Sequence, residues 1–312
     1  MKRDFPDVIV HGGVHKTATS HIQALLQRNA GRMRKRGVHY LHHRETRKNF
    51  TYPCQLHGYE KLGMQFKRKY NEAELSRTTG KFFRDVGAKP GERIILSDEN
   101  MPGHCGQCVS DGALYNRSAT LLPIFAREIP FPVSEVHIAV RNYADFFASA
   151  YVEYLRSATS KRALVTEAQM KRGLLSQLPS WVDFVTKLRA AFAGSKIVIW
   201  RHEDFRTLQS QVMQNLIGPE IAVEDLVQPK RARVRPSASQ VAVRELQLVI
   251  LRDGAEAGLA RWVEIQDAYP RGPSYPGYDP WTETQRTHLT RIYDNDIARI
   301  AELDGVSLLR AP

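Results

Sequence analysis

The stretch Val8-Ile-Val-His-Gly-Gly-Val-His-Lys-Thr-Ala-Thr-Ser-His-Ile-Gln-Ala-Leu-Leu26 constrains the fold more than any other part of the chain. A short apolar strand runs through two glycines and a lysine- and hydroxyl-rich turn straight into a helix, with Ile22, Leu25, Leu26 and Met33 at helical spacing on one face. A strand that passes directly into a helix is the unit from which parallel sheets with helical cover are built. The turn is also an anion-binding device. Backbone N–H groups converge there, the helix dipole favours negative charge, and Lys16 adds a mobile cation. The nucleotide-binding pattern G-x-x-x-x-G-K-[ST] would need glycine where this chain has Val10 and His15, so the loop is of another kind.

The run His11-Gly-Gly-Val-His-Lys-Thr-Ala-Thr-Ser20, followed by Ile22-Gln-x-Leu-Leu26, resembles the phosphosulfate loop of sulfotransferases that use 3′-phosphoadenosine 5′-phosphosulfate (PAPS), the bacterial ones above all. Ala18 departs from that pattern, where glycine is usual. The resemblance implies that His15, Lys16, Thr17, Ala18, Thr19 and Ser20 hold the phosphosulfate. An ordinary strand-turn-helix would share much of this run, so a second element matters. Ser134-Glu-Val-His-Ile-Ala-Val140 alternates like a strand and ends at Arg141; a helix follows with Phe146, Phe147, Ala150, Tyr151, Tyr154 and Leu155 on one face. Arg141 and Ser149 stand eight positions apart, as in the family's 3′-phosphate motif, and a guanidinium with a hydroxyl would grip that phosphate. A third echo is Lys196-Ile-Val-Ile-Trp-Arg-His-Glu-Asp-Phe205, similar to the family's strand followed by Tyr-Glu-Asp-Leu. His202 takes the aromatic place near the adenine.

Further strands are expected at 7–12, 38–41, 92–97, 134–140 and 195–200, with helices between and after them. The resulting fold class is α/β, a parallel sheet flanked by helices, with the P-loop-like sulfotransferase fold implied by the resemblance. One domain over 1–312 is expected. Its ligand should lie beyond the carboxyl ends of the strands, where Lys16, Ser97-Asp-Glu99, Arg141 and His202 all fall. The segments 42–92 and 101–116, with poor periodicity over 42–70 and 101–116, read as acceptor-side insert loops, and 267–282 as a Pro/Gly-rich loop. A closing helix over 282–304 starts at a Thr282/Gln285 capping box and carries Leu289, Ile292, Tyr293, Ile297 and Ile300.

At 312 residues and 42% hydrophobic content the chain can bury a sizeable core. It has no apolar run of membrane-spanning length, no signal peptide is expected, and its three cysteines suit a reducing cytoplasm. A net charge of +12 is concentrated in Arg32–Arg36, Arg44–Lys48, Lys67–Lys69 and Lys230–Arg235. Such patches suit an anionic donor and an anionic or carbohydrate acceptor; no nucleic-acid motif accompanies them, and solvated basic helix faces would account for the charge equally.

For chemistry, the resemblance implies sulfuryl transfer from PAPS, releasing adenosine 3′,5′-bisphosphate, with no divalent metal required. Lys16 would relieve charge on the leaving oxygen. Glu99, at the end of Ile94-Ile-Leu-Ser-Asp-Glu-Asn100, stands where the family keeps its base; Asp98 should point the other way if the strand continues, and His42, His43 and His104 are alternative bases. A nucleotide-dependent phosphotransferase with Mg²⁺ on Asp98 is a second reading, and a non-catalytic polyanion-binding protein a third. Cys54, His57, Cys105 and Cys108 have the right chemistry for zinc, although the last pair would also serve as a redox or incidental pair.

Overall fold

The computed structural model describes residues 4–157, 164–229 and 237–311, so the basic run Lys230–Arg235 lies outside the described residues. The first half contains β1 (Asp7–His11), α1 (Thr19–Arg34), β2 (Val38–Leu41), α2 (His43–Thr46), a π-helical turn (Arg47–Thr51), α3 (Tyr52–Lys61), α4 (Glu72–Arg84) and β3 (Arg93–Ser97). Then come α5 (Cys105–Asp111), α6 (Ser118–Glu128), β4 (Val133–Val140), α7 (Tyr143–Arg156), α8 (Glu167–Ser176), α9 (Trp181–Ala191) and β5 (Lys196–Arg201). The chain ends with α10 (Phe205–Ile217), α11 (Gln240–Asp253), α12 (Ala255–Ala268), α13 (Glu283–Ala301) and β6 (Val306–Leu309).

The six strands form one parallel sheet in the order β2-β3-β1-β4-β5-β6. Side-chain alternation divides the core into two layers. Ile9, Ile95, Ala139 and Trp200 face α1 and α10, packing on Ile22, Leu25, Leu26, Leu208 and Val212. Val8, Val10, Ile94, Leu96, Ile138 and Ile199 face the larger helical layer, with Phe50, Phe125, Phe146, Phe147 and Trp181. Chain connections leave β1 toward β2 on one side and reach β4 on the other. The carboxyl ends of β1 and β4 therefore border the crevice where open α/β sheets take their ligands. No helix among the described residues is long and apolar enough to cross a membrane.

Two expectations are corrected here. The segments 42–92 and 101–116 are largely helical, not loops: they fold as α2, the π-helical turn, α3, α4 and α5. Residues 53–59 are buried on every side, so α3 has no polar face to give it a visible period. β6 was also missed, a four-residue edge strand that follows α13 by a short turn and pairs with β5. The loop before α13 and the Thr282/Gln285 capping box are where the sequence puts them, with the helix itself spanning Glu283–Ala301.

Candidate functional site

The turn between β1 and α1 is set by two residues in left-handed conformation, Lys16 at φ 65° and Ala18 at φ 64°. Ala18 is the N-cap of α1, and its side chain has no hydrogen bond to offer the helix. The capping instead runs inward. The hydroxyls of Thr17 and Thr19 donate to the Val14 carbonyl at 2.6 and 3.1 Å, which bends the chain back and leaves the turn's own N–H groups unspent. His15 N–H is taken by the Tyr115 hydroxyl, and the first helical bonds are those of His21 and Ile22 to the Ala18 carbonyl. None of the N–H groups of Lys16, Thr17, Ala18, Thr19 and Ser20 finds an acceptor among the described residues. Left-handed residues followed by a helix start make such a concavity an anion cradle.

His15 does not face that cradle. Its Nε2–H donates to Asn100 Oδ1 at 3.1 Å and its Nδ1 accepts from the Tyr115 hydroxyl at 2.9 Å. Asn100 is itself oriented by Asp98 Oδ1, which accepts its Nδ2 at 2.8 Å and its backbone N–H at 3.1 Å. The imidazole is thus held neutral in one tautomer, and burial pushes its pKa down to about 3. Its role is to brace the loop.

The carboxyl end of β3 meets the loop directly. A Cβ added at Gly13 would lie 2.7 Å from the Glu99 Cβ, so glycine is required for the loop to rest on Glu99. Asp98 does not point away from Glu99 as alternation would have it. The strand stops at Ser97, and both carboxylates turn to one guanidinium: Arg47 Nε to Asp98 Oδ1 at 3.0 Å and Arg47 Nη2 to Glu99 Oε1 at 2.7 Å. The second oxygens, Asp98 Oδ2 and Glu99 Oε2, are buried with no partner among the described residues. Burial raises the Glu99 carboxyl pKa, with Arg47 working against it. His104 is lowered by burial, and His43 is lowered to about 4 for the same reason with His42 stacked on it.

At the end of β4, Arg141 Nη1 donates to the Lys16 carbonyl at 2.7 Å, which ties the guanidinium to the loop. No ion pair to Arg141 occurs among the described residues, and burial lowers its pKa. The nearby acids are engaged elsewhere: Asp145 with Arg286, and Glu203 with the Asn142 N–H and the Tyr293 hydroxyl. His202 is lowered first by burial and then by Arg141, with the Thr17 backbone working the other way; its Nδ1 is buried without a partner among the described residues. Ser149 lies on α7, one turn before Glu153, whose carboxylate reaches Lys16 Nζ at 3.4 Å. The loop, Glu99, Arg141 and His202 are therefore joined at one sheet edge, with Ser149 on the helix beside them.

Several residues that build the site were not singled out from sequence. Arg47 reads there as part of a basic patch, and Tyr115 and Asn100 as loop residues. Glu153 had one available signal, its position four residues after Ser149 on the same helical face. The zinc set does not assemble: no group of three metal-ligating side chains occurs among the described residues. Cys54 is sealed in the core, His57 donates Nδ1–H to the Tyr70 carbonyl at 2.7 Å, and Cys105 and Cys108 pack one turn apart on α5 with thiols raised by burial.

No protein-family model and no curated protein matches the sequence. Among solved structures, a sulfotransferase from Alicyclobacillus acidocaldarius is similar over 83% of this chain and 96% of its own, at 14% identity and a TM-score of 0.40. A likeness that distant carries no argument. The chemistry rests on the site itself.

Proposed function

We infer that this chain transfers a sulfuryl group from PAPS to a hydroxyl or amine of an acceptor such as a carbohydrate. The observation that carries the reading is Arg141. A partly buried guanidinium without a carboxylate partner among the described residues, tied to the carbonyl of Lys16, puts a second anion-binding group beside a cradle of open N–H groups. Two anion positions suit a donor with phosphates at both ends of its ribose. Lys16 and the N–H groups of 16–20 would take the phosphosulfate, Arg141 and Ser149 the 3′-phosphate, and His202 the purine.

PAPS supplies a sulfuryl group on a good leaving group. As the acceptor oxygen or nitrogen bonds to sulfur, the bond to the bridging phosphate oxygen breaks; Lys16 supports the charge left there, and Glu99 takes the acceptor's proton. A carboxyl raised by burial and aligned by Arg47 suits that base, with His104, kept neutral, the alternative. The phosphotransferase reading is disfavoured, because Val10 and His15 stand where the nucleotide-binding loop pattern needs glycine. Three free, buried thiols accord with a reducing, cytoplasmic setting.

Calorimetric titration with adenosine 3′,5′-bisphosphate, adenosine 5′-monophosphate, and ATP with Mg²⁺ tests the reading. The bisphosphate should bind best, and Arg141→Ala should cost about 2–4 kcal/mol with it and little with the monophosphate. Equal losses for both nucleotides would remove Arg141 as the reader of the 3′-phosphate, and preference for ATP with Mg²⁺ would sink sulfuryl transfer.

A further inference from the structure

Lys16 is the loop's one lysine, and it does not stand unopposed. Its Nζ lies 3.4 Å from Glu153 Oε2, with the two side chains 23% and 25% exposed. A carboxylate so close to an anion cradle works against the ligand that Arg141 and the open N–H groups favour. The same oxygen has another cation in reach. Arg156, one turn further along α7, places Nη1 3.7 Å from it. Arg156 is anchored from α12: its guanidinium stacks over Trp262 at 4.5 Å, and Nη2 donates to Gln266 Oε1 at 3.2 Å. One carboxylate oxygen thus sits between a cation on the loop and a cation fixed to a neighbouring helix.

We propose, on the reading of the loop as a phosphosulfate site, that Glu153 is a counter-ion latch that parks Lys16 in the empty protein and shifts to Arg156 when the donor takes Lys16. The exchange is favourable on both sides. Lys16 gives up a partly exposed ion pair, a weak interaction, for contacts with a doubly charged group. Glu153 retains Arg156, so its release leaves no stranded carboxylate. Glu153 is then a positioning residue that acts through Lys16 and sets the affinity for donor and product.

The test is titration of adenosine 3′,5′-bisphosphate into the full chain, its E153Q, K16A and E153Q/K16A variants, and R156Q. E153Q should bind about 5-fold tighter than wild type, and the gain should vanish in the K16A background, because the competition runs through Lys16. R156Q, which withdraws the anchored cation from Glu153, should bind about 3-fold weaker. A gain of equal size with and without Lys16 would make Glu153 a plain repulsive charge and overturn the latch, as would E153Q binding no tighter than wild type. If E153Q does not fold, R156Q decides alone: unchanged or tighter binding overturns the latch. Wild type that takes no bisphosphate at all would sink the donor reading and the latch with it, whereas wild type that binds while the variants show no such pattern sinks the latch alone.

Discussion

Asp296, on the buried face of α13, is the group whose removal should cost the fold most while touching no ligand. Its Oδ2 accepts the Tyr143 hydroxyl at 2.6 Å and the Trp181 N–H at 2.7 Å, with the Val182 N–H at 3.4 Å. Trp181 in turn stacks on Tyr143 at 5.9 Å and donates its indole N–H to the Arg141 carbonyl at 2.9 Å. One carboxylate therefore ties α13 to α7 and α9 at the strand end that carries Arg141. In Asp296→Ala the Trp181 N–H retains the Tyr143 oxygen, 2.6 Å away, but the Tyr143 hydroxyl is left as a buried donor without an acceptor. A lost charge-assisted bond of about 1.5–3 kcal/mol plus an orphaned hydroxyl of about 1–3 kcal/mol gives a cost of about 2.5–6 kcal/mol. Tyr143→Phe alone should cost about 1.5–3 kcal/mol. The double variant should cost less than the sum by at least about 1 kcal/mol, since phenylalanine leaves no hydroxyl to strand. Urea unfolding with a common slope measures all three. Additivity within about 0.5 kcal/mol, or a single loss below about 1 kcal/mol for Asp296→Ala, would refute the account.

Ala18→Gly should stabilise the protein by about 0.5–1 kcal/mol, because relief of a left-handed alanine, about 1–2 kcal/mol, outweighs the extra freedom glycine brings to the unfolded chain; destabilisation in urea unfolding would contradict the loop geometry. Acid should weaken the fold through His11 and His15, both lowered to about 3 by burial, since below their ordinary 6.5 the unfolded chain binds protons that the folded chain does not. Stability is complete above pH 6.5 and should fall by about 1.4 kcal/mol per pH unit for each imidazole on the way down; a flat profile from pH 7.5 to 5 would show that neither is held neutral. Glu99→Gln should cut sulfuryl transfer by about two to four orders of magnitude while bisphosphate affinity stays within about twofold. Turnover that survives in Glu99→Gln and collapses in His104→Ala would move the base to His104, the N-cap of α5.

What the sequence made legible was whatever depends on one element at a time. Five strands, the two-layer burial and the gathering of Lys16, Glu99, Arg141 and His202 at one edge follow from periodicity and from the rule that strand carboxyl ends face the ligand, and the sheet has them there. Illegible were features that exist only once distant elements meet. Helix α3 hides its period because three neighbours bury it, and Arg47 becomes a clamp on Asp98 and Glu99 only when a π-helical turn carries it to the end of β3.

The same distinction explains the two sides of the loop. Its face of open N–H groups is read from sequence, since those groups, Lys16 and a helix start are consecutive. Its supporting face is not: His15, which looks like a ligand residue, turns inward to Asn100 and Tyr115, residues 85 and 100 positions away. A neutral imidazole locked by both ring nitrogens cannot add charge to the cradle, whose own cation is Lys16, with Arg141 tied to its carbonyl and Glu153 paired to its amine. Occupancy of such a site must depend on where Lys16 points, and a loop whose N–H groups are already held open by Thr17 and Thr19 leaves that lysine as the part free to move.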